Sequence, residues 1–259
     1  MKPMCGEYVL PKIKERSGDV LVRRRIIKVS GMGESAVDEA ASPIYIEYSD
    51  VQTSILFNQT EVEIHLAAKS TDAVEAETNI AEIAERIKEK LGKAVFSTTG
   101  ETMEEVVGRM LTERSETLSV AESCTGGLIG MRLTEVPGSS AYFREGAVTY
   151  SNEAKIARLG VPEDTIANFG AVSAETAEAM AAGMRERAGT NHAISVTGIA
   201  GPEGGTEDKP VGTVCIGYSG KGITKSVRIV LPGDRYLVRW RSSQAALDYL
   251  RRQLLKTSV

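Results

Sequence analysis

The stretch TLSVAESCTGGLIGMRLT, residues 117–134, decides how the longer part of the chain folds. Residues 117–121 predict a short buried strand, the glycines at 126 and 127 predict a turn, and a helix follows to about residue 134. The same alternation continues along the chain, with strands predicted at 147–150 and 193–197 and helices near 152–158 and 173–187. Alternation of this kind is typical of a three-layer α/β domain with loops at the strand ends.

The end of the chain predicts a hairpin and a closing helix. Two strands, Thr213 to Tyr218 and Ile223 to Leu231, flank a turn that contains two glycines. The last helix carries its apolar residues on one side, namely Leu237, Trp240, Leu247, Leu250 and Leu254.

The first hundred residues predict a smaller α+β unit. Strict alternation from Glu61 to Ala67 predicts a half-buried strand, with His65 solvated on its polar face. The spacing of isoleucines predicts a helix over Ala73 to Leu91 that Gly92 stops. Further strands are predicted at 20–29 and 93–97. This order favours a ferredoxin-like or similar two-layer sandwich.

The polar stretch Ser97 to Gly100 separates the two periodic regions. Thr102, with Glu105 three residues later, then predicts a capping box at the start of a new helix. We therefore expect one domain over residues 1–100 and a second over residues 101–259.

Composition narrows the class of protein. The chain has 259 residues, 42% of them hydrophobic and 25% charged, and 31 Lys and Arg against 35 Asp and Glu give a net charge of −4. That balance argues against a protein whose main task is to hold nucleic acid or an anionic membrane. No apolar run approaches the roughly 20 residues of a membrane span, and the N-terminus lacks the apolar core of a signal peptide. We expect a cytoplasmic protein without a membrane partner.

The number and spacing of the cysteines also favour a reduced, cytoplasmic protein. Cys5, Cys124 and Cys215 are an odd number with no close pair, so we expect neither a disulfide framework nor a thiolate zinc site.

Two loops of small polar residues and glycines are the candidate sites for chemistry. The first, Ala121 to Gly127, opens a helix, where backbone N–H groups can stabilise an anion or oxyanion. The second, Thr197 to Pro210, lacks the Lys-Ser/Thr ending of a phosphate-binding P-loop. Each loop can also be interpreted without a functional role. The first would then be an ordinary strand–helix turn and the second a mobile loop.

Between these loops lie Tyr150 and Lys155. A tyrosine and a lysine on the same face of a helix are typical of one class of dehydrogenases. A spacing of five residues turns them about 140° apart on a helix, so that interpretation fails. Lys155 stands at a helix start, where the helix dipole disfavours a cation, which hints at a role beyond solvation.

A nucleophile in the first loop needs a base. The two histidines, His65 and His192, are badly placed for a Ser-His-Asp triad, and no His/Cys/Asp cluster has metal-ligand spacing. A desolvated lysine remains as the ordinary base, as in Ser-Lys hydrolases. Cys124 stays open as an alternative nucleophile to Ser123, although a small buried cysteine is common.

At these residues the chain resembles a known family. AESCTGG at 121–127, VTYSNEAK at 148–155, GAVS at 170–173, TGIAGPEGG at 197–205 and KPVGTV at 209–214 are similar to the C-terminal domain of the competence/damage-inducible CinA family. VLPKIKER at 9–16, IKVSGMGESAV at 27–37 and VEIHLAAKS at 62–70 are similar to the small middle domain of that family. Full-length members begin with a further domain similar to molybdopterin-binding proteins, which we expect to be absent here.

The resemblance implies a nicotinamide-nucleotide amidase, which converts the carboxamide of nicotinamide mononucleotide to a carboxylate and releases ammonia. It implies a catalytic Ser123 and Lys155 pair with Tyr150 beside it, and no cofactor or metal.

We assign the expected substrate contacts on the same basis. N–H groups around Thr125, Gly126 and Gly127 would hold the oxyanion, and Thr197 and Gly198 would wall the nucleotide. Arg235 and Arg239 would bind its phosphate or order the site, or else lie solvated on their helix. We expect a small nucleotide as partner and a homo-oligomer as assembly.

Two other functions compete with this one. The chain could be a catalytically silent nucleotide-binding or assembly module of a truncated family member. Nucleic-acid binding is suggested by Arg23-Arg24-Arg25 with Lys28, but successive strand residues point to opposite faces and form no continuous basic stripe.

Overall fold

A computed structural model describes residues 5–9, 11–12, 20–58 and 60–256 of the chain. Two units are distinguished, Met1–Gly100 and Glu101–Val259. Within the described residues no helix combines the length and the apolar character needed to cross a membrane.

The first unit has the order βαββαβ. Its elements are β1 (Leu21–Val29), α1 (Glu34–Tyr45), β2 (Val51–Asn58), β3 (Glu61–Ser70), α2 (Ala73–Leu91) and β4 (Val95–Ser97), with single helical turns at Cys5–Val9 and Gly92–Ala94. The strands form one antiparallel sheet in the order β2-β3-β1-β4. This is the ferredoxin-like arrangement, so the predicted small α+β fold is confirmed.

Helix α2 has the bounds and the buried face that the sequence pattern predicted. Asp72 caps its start by accepting hydrogen bonds from the N–H groups of Val74 and Glu75, and Gly92 ends it with a φ of 57°. Ile80, Ile83 and Ile87 are fully buried against the sheet, together with Ala76 and Ala84. Their burial on one stripe is what the isoleucine spacing predicted.

Three details of this unit differ from the prediction. Strand β4 begins at Val95 rather than Lys93 because a single helical turn, Gly92–Ala94, precedes it. Strand β2 was predicted only as one of the strands between the two helices, without bounds. His65 lies on the polar face as expected, but it is half-buried and its Nε2 is 2.8 Å from the Glu63 carboxylate, so it is paired rather than merely solvated.

The second unit alternates strands and helices, as predicted. Its elements are α3 (Met103–Glu113), β5 (Leu118–Glu122), α4 (Leu128–Thr134), β6 (Phe143–Val148), α5 (Asn152–Leu159), α6 (Glu163–Phe169), α7 (Ala174–Ala188), β7 (His192–Gly198), β8 (Thr213–Gly220), β9 (Ile223–Val230) and α8 (Arg235–Leu254), with a short 3₁₀ turn at Ser139–Ala141. The predicted capping box at Thr102 and Glu105 is present at the start of α3.

These elements form three layers. The sheet order is β6-β5-β7-β8-β9, in which β5 is parallel to both β6 and β7, and β8 is antiparallel to both β7 and β9. Helix α7 packs on β5, β7, β8 and β9, whereas α8 packs on β7 and β8 together with α3 and α4. The predicted three-layer α/β domain is confirmed.

Close packing of α7 on the sheet depends on a glycine. A Cβ atom at Gly217 in β8 would collide with the carbonyl oxygen of Ala177 in α7. The Ser195 hydroxyl of β7 donates a hydrogen bond of 2.5 Å to the same carbonyl. The backbone of the helix therefore lies directly on the backbone of the sheet.

The largest correction concerns β6. A strand was predicted at Ala147 to Tyr150, but β6 spans Phe143–Val148, because its parallel ladder with β5 runs from Phe143 to the pair of Glu122 and Val148. Beyond it the Thr149 N–H donates to the Glu122 carbonyl at 2.8 Å and the chain turns. Tyr150 therefore lies in the turn that leads to α5.

The closing helix α8 also differs from a simple amphipathic helix. Leu247, Leu250 and Leu254 are fully buried, as predicted, whereas Leu237 and Trp240 are half-buried. Polar residues are buried as well, among them Ser242, Ser243, Gln244 and Asp248. The reason is that α8 packs against helices α3 and α4 as well as the sheet, so that more than one side of it is covered.

Candidate active site

The carboxyl ends of three strands meet at one edge of the second sheet. Ser123 directly follows β5, Lys155 lies in the helix after β6, and Gly198 is the last residue of β7. In open α/β sheets, ligands bind outside the carboxyl ends of parallel strands. His192, by contrast, begins β7, where it contacts Tyr218 and Glu116 at the other end of the sheet.

The turn that carries Ser123 is held by its backbone. The Ser123 N–H donates to the Val196 carbonyl of β7 at 2.9 Å, and the Gly126 N–H donates to the Ser123 carbonyl at 3.1 Å. Gly126 and Gly127 have φ values of 61° and 93°, a left-handed conformation that glycine adopts without strain. The two glycines therefore allow the chain to turn sharply from β5 into α4.

Lys155 is the most deeply buried charged side chain of the site, with only 1% of its surface exposed. Its Nζ lies 3.2 Å from the Ser123 Oγ, 3.0 Å from the Thr149 carbonyl oxygen and 3.2 Å from the Tyr150 carbonyl oxygen. Ser151 caps α5 by accepting a hydrogen bond from the Ala154 N–H. The structure thus brings together the two residues that the sequence predicted as a pair.

Burial lowers the pKa of Lys155 below its usual value, while Cys124 and Glu153 act in the opposite direction. A buried ammonium loses its hydration, which favours the neutral amine. A neutral amine has two N–H donors and one lone pair. Three carbonyls, those of Thr149, Tyr150 and, at 3.5 Å, Ser151, lie within reach of these two donors, and in the neutral form the lone pair can face the Ser123 hydroxyl.

The N–H groups of the turn are not all available, which corrects the predicted oxyanion donors. Gly126 N–H is used by the Ser123 carbonyl, and Gly127 N–H donates to the Glu122 carboxylate at 3.0 Å. Among the described residues, no backbone or side-chain oxygen accepts a hydrogen bond from Cys124 N–H or Thr125 N–H. Of the predicted donors, Thr125 N–H stays a candidate and Gly126 N–H and Gly127 N–H do not, while Cys124 N–H becomes a further candidate.

Two arginines from the first turns of α8 reach the same edge. Arg239 donates to the Thr125 carbonyl at 2.8 Å, so it braces the turn that carries Ser123. Arg235 donates to the Gly201 carbonyl at 2.9 Å and to the Tyr150 hydroxyl at 3.1 Å. Both arginines are therefore engaged with the site rather than simply solvated.

Tyr150 contacts Lys155 through its backbone carbonyl and not through its side chain, which the sequence did not indicate. Its carbonyl contacts Lys155, whereas its side chain is 60% exposed and its hydroxyl is bonded to Arg235. A proton transfer by this phenol stays a prediction.

The two predicted wall residues have different surroundings. The Thr197 hydroxyl donates to the Ala171 carbonyl at 2.7 Å and is buried. A Cβ atom at Gly198 would lie 3.1 Å from the Cys124 Sγ and 2.9 Å from the Thr213 carbonyl oxygen. The end of β7 therefore packs tightly against the turn of Ser123, and a larger residue than glycine would disturb that turn.

Sequence reasoning missed two residues of the site, Glu122 and Thr149. Glu122 was not assigned a role, although its carboxylate is buried beside Ser123. The hydroxyls of Thr125 and Thr149 are buried without a hydrogen-bond partner, and buried polar groups usually have one. A charged residue inside the short apolar strand 118–122 was the only signal in the sequence that could have pointed to Glu122.

Cys124 is a poor nucleophile in this setting, because burial raises the pKa of its thiol to about 12. We expect iodoacetamide at about pH 8 to alkylate Cys124 at least about a hundredfold more slowly in the folded protein than in the unfolded chain, since the thiolate is the reactive form. Mass spectrometry of the Cys124 peptide over time measures this rate. Equal rates in the folded and unfolded chains would restore Cys124 as a candidate.

Among the described residues, no group of His, Cys, Asp or Glu side chains is arranged to hold a metal ion.

Comparison with known sequences matches both units. Residues 100–254 match the CinA C-terminal domain, and residues 24–97 match the damage-inducible protein CinA KH domain. A CinA-like protein from Koribacter versatilis is 43% identical over 255 residues, which is 98% of this chain and 62% of that protein. A putative competence-damage inducible protein from Clostridium perfringens is 43% identical over 256 residues. The chain thus spans 62% of the length of these curated relatives.

Solved structures match about three fifths of the chain. The competence/damage inducible protein CihA from Agrobacterium tumefaciens is 39% identical, with a TM-score of 0.56 over 60% of this chain and 98% of that one. A CinA superfamily protein from Escherichia coli is 30% identical, with a TM-score of 0.56 over 63% of this chain and 97% of that one.

Proposed function

The chain belongs to the CinA family, and on that premise we propose that it hydrolyses the carboxamide of nicotinamide mononucleotide to a carboxylate and ammonia. The observation that carries the proposal is the buried pair of Lys155 and Ser123, with 3.2 Å between Nζ and Oγ. A serine hydroxyl is a weak nucleophile until a base takes its proton. A role in pyridine nucleotide recycling follows from this reaction.

In the first step, neutral Lys155 takes the proton of Ser123 while the Ser123 Oγ attacks the carboxamide carbon. The electrons of the C=O double bond move to its oxygen, which becomes an oxyanion. The N–H groups of Cys124 and Thr125, which donate to no backbone oxygen among the described residues, are suited to stabilise that charge. Burial supports the step, because it lowers the pKa of Lys155 and so favours the neutral amine.

In the second step, the C–N bond breaks and the Lys155 ammonium gives its proton to the leaving nitrogen, which departs as ammonia. The product is an ester between Ser123 and the nicotinoyl group. Lys155, neutral again, takes a proton from water, which attacks this ester and releases the carboxylate. Ser123 regains its proton from Lys155, so the enzyme ends as it began.

We propose that the substrate binds at the edge of the sheet that surrounds Ser123 and Lys155. Arg235 and Arg239 are the cations of α8 that reach the site, and guanidinium groups bind phosphate well. The unpartnered hydroxyls of Thr125 and Thr149 are suited to polar atoms of the substrate. Thr197 and Gly198 at the end of β7 would form one wall of the nucleotide site. A homo-oligomeric state and a cytoplasmic location stay predictions.

Product identification tests the proposal. We expect the purified protein to convert nicotinamide mononucleotide to nicotinate mononucleotide with one ammonia per turnover, and to place one oxygen from heavy-oxygen water in the new carboxylate. Ammonia release and mass spectrometry of the product measure this. Nicotinamide riboside lacks the phosphate, so comparison with it tests whether Arg235 and Arg239 bind that group.

If the nucleotide binds but no ammonia appears, the proposed activity is wrong and the chain is a nucleotide-binding module. If neither binding nor turnover is seen, the substrate assignment is wrong.

A further inference from the structure

Glu122 is a buried carboxylate directly before Ser123, with 2% of its surface exposed. Its Oε2 accepts hydrogen bonds from the N–H groups of Gly127 at 3.0 Å and Ile129 at 3.1 Å, and its Oε1 accepts one from Gly130 at 2.9 Å. The buried charge is thus balanced by three backbone donors at the start of α4 rather than by a cationic side chain. An anion in this position also interacts favourably with the helix dipole.

The backbone of Glu122 reaches the other half of the site. Its carbonyl accepts the Thr149 N–H at 2.8 Å, and the Thr149 carbonyl in turn accepts a hydrogen bond from the Lys155 Nζ at 3.0 Å. One residue therefore connects the turn that carries Ser123 with the turn that holds Lys155.

We infer that Glu122 is a positioning residue for the reaction, an inference that rests on the proposed amidase activity. Its carboxylate accepts hydrogen bonds from the N–H groups of Gly127, Ile129 and Gly130, which would otherwise be left without these partners beside the reacting groups. Cys124 N–H and Thr125 N–H are left as the donors for the oxyanion. The same bonds hold the turn so that the Ser123 Oγ stays within reach of Lys155.

The position of Glu122 predicts a specific pattern of kinetic defects. It touches neither Arg235 nor Arg239, so its loss should leave substrate affinity nearly unchanged. A small displacement of the nucleophile or of the oxyanion donors lowers the rate of the chemical step strongly. A residue that served only to stabilise the fold would lower the melting temperature without this separation of kcat from KM.

The test uses Glu122→Ala and Glu122→Gln in the full chain. We expect Glu122→Ala to lower kcat about a hundredfold while KM stays within about threefold. Glu122→Gln keeps one acceptor oxygen and should lose less. The control is Glu145→Gln, which changes a half-buried glutamate in β6 that pairs with Arg187 and should behave as wild type.

Chemical rescue gives the sharper readout. Glu122→Ala leaves three N–H donors facing the space of the missing carboxylate, so added formate should raise kcat about tenfold in this variant, as a small anion bound there restores the donors' partner. Formate should have no such effect on the wild type or on Glu145→Gln. An equal kcat in wild type and both Glu122 variants would overturn the inference, as would a loss confined to stability.

A substrate-independent arm separates this inference from the proposed activity. A fluorophosphonate probe that labels Ser123 measures the reactivity of the hydroxyl whatever the natural substrate is. If the wild type releases no ammonia but Glu122→Ala slows labelling and formate restores it, the activity is wrong and the positioning role stands. If labelling is unchanged in the variants, the positioning role is wrong. Should Glu122→Ala not fold, Glu122→Gln decides by the same two measurements.

Discussion

Lys155→Met is expected to lower kcat for nicotinamide mononucleotide about ten-thousandfold, the loss seen when a member of a nucleophile–base pair is removed. Methionine has a similar length but no lone pair that can take the Ser123 proton. KM should change little, because the Lys155 Nζ contacts only Ser123 and backbone carbonyls in this structure. Steady-state kinetics with circular dichroism as a control of folding measure the effect.

The pH dependence of the wild type tests the same residue by a different route. Only neutral Lys155 acts as a base, and burial lowers its pKa from the ordinary lysine value of 10.5. kcat/KM should therefore rise with pH until Lys155 is deprotonated and then level off, with the rise lying below pH 10.5. Activity falls as the pH drops through this lowered pKa, because the protonated amine has no lone pair.

Lys155→Arg is the matched control for charge. A guanidinium keeps the positive charge but is never deprotonated in proteins, so this variant should be as inactive as Lys155→Met at every pH. Activity in Lys155→Arg near that of the wild type would show that position 155 supplies charge rather than a base, and the mechanism would be wrong.

The pairing of Ser123 with Lys155 was predicted from the resemblance to the CinA family, and the topology explains why the two residues meet. Two parallel strands bring their carboxyl ends to one edge of a sheet, so loops that follow adjacent strands meet there. The scarcity of histidine then left lysine as the base. The fold class was predictable for a similar reason, since the apolar periodicity in segments such as Ala73 to Leu91 reports which face is buried.

Contacts made by the backbone could not be predicted in this way. Whether the N–H of Gly127 is free depends on where the Glu122 side chain lies, and the sequence order gives no sign of that bond. The end of β6 was misplaced because Thr149 and Tyr150 favour a strand by residue type, whereas the ladder with β5 ends at Val148. Tyr150 then contributes a carbonyl to the Lys155 site, a role that any residue type could fill.

Ser123→Ala is expected to lower kcat about ten-thousandfold as well, with nucleotide binding retained. The neighbouring Cys124 should not substitute, since its thiol has a pKa of about 12 and is neutral at ordinary pH. Hydroxylamine offers a direct probe of the intermediate, because it can attack the acyl-enzyme in place of water and yield a hydroxamate. Wild-type protein should form this product and Ser123→Ala should not. Ser140→Ala, which removes the hydroxyl of an exposed serine, is the control.

The double variant decides whether Ser123 and Lys155 act as a unit. If Lys155 serves only to activate Ser123, removing both should cost no more than removing either one, so the double variant should match the single variants in kcat. Independent roles would instead multiply the two losses. A hydroxamate formed by Ser123→Ala, or a double variant far slower than both singles, would contradict a covalent mechanism in which this lysine activates this serine.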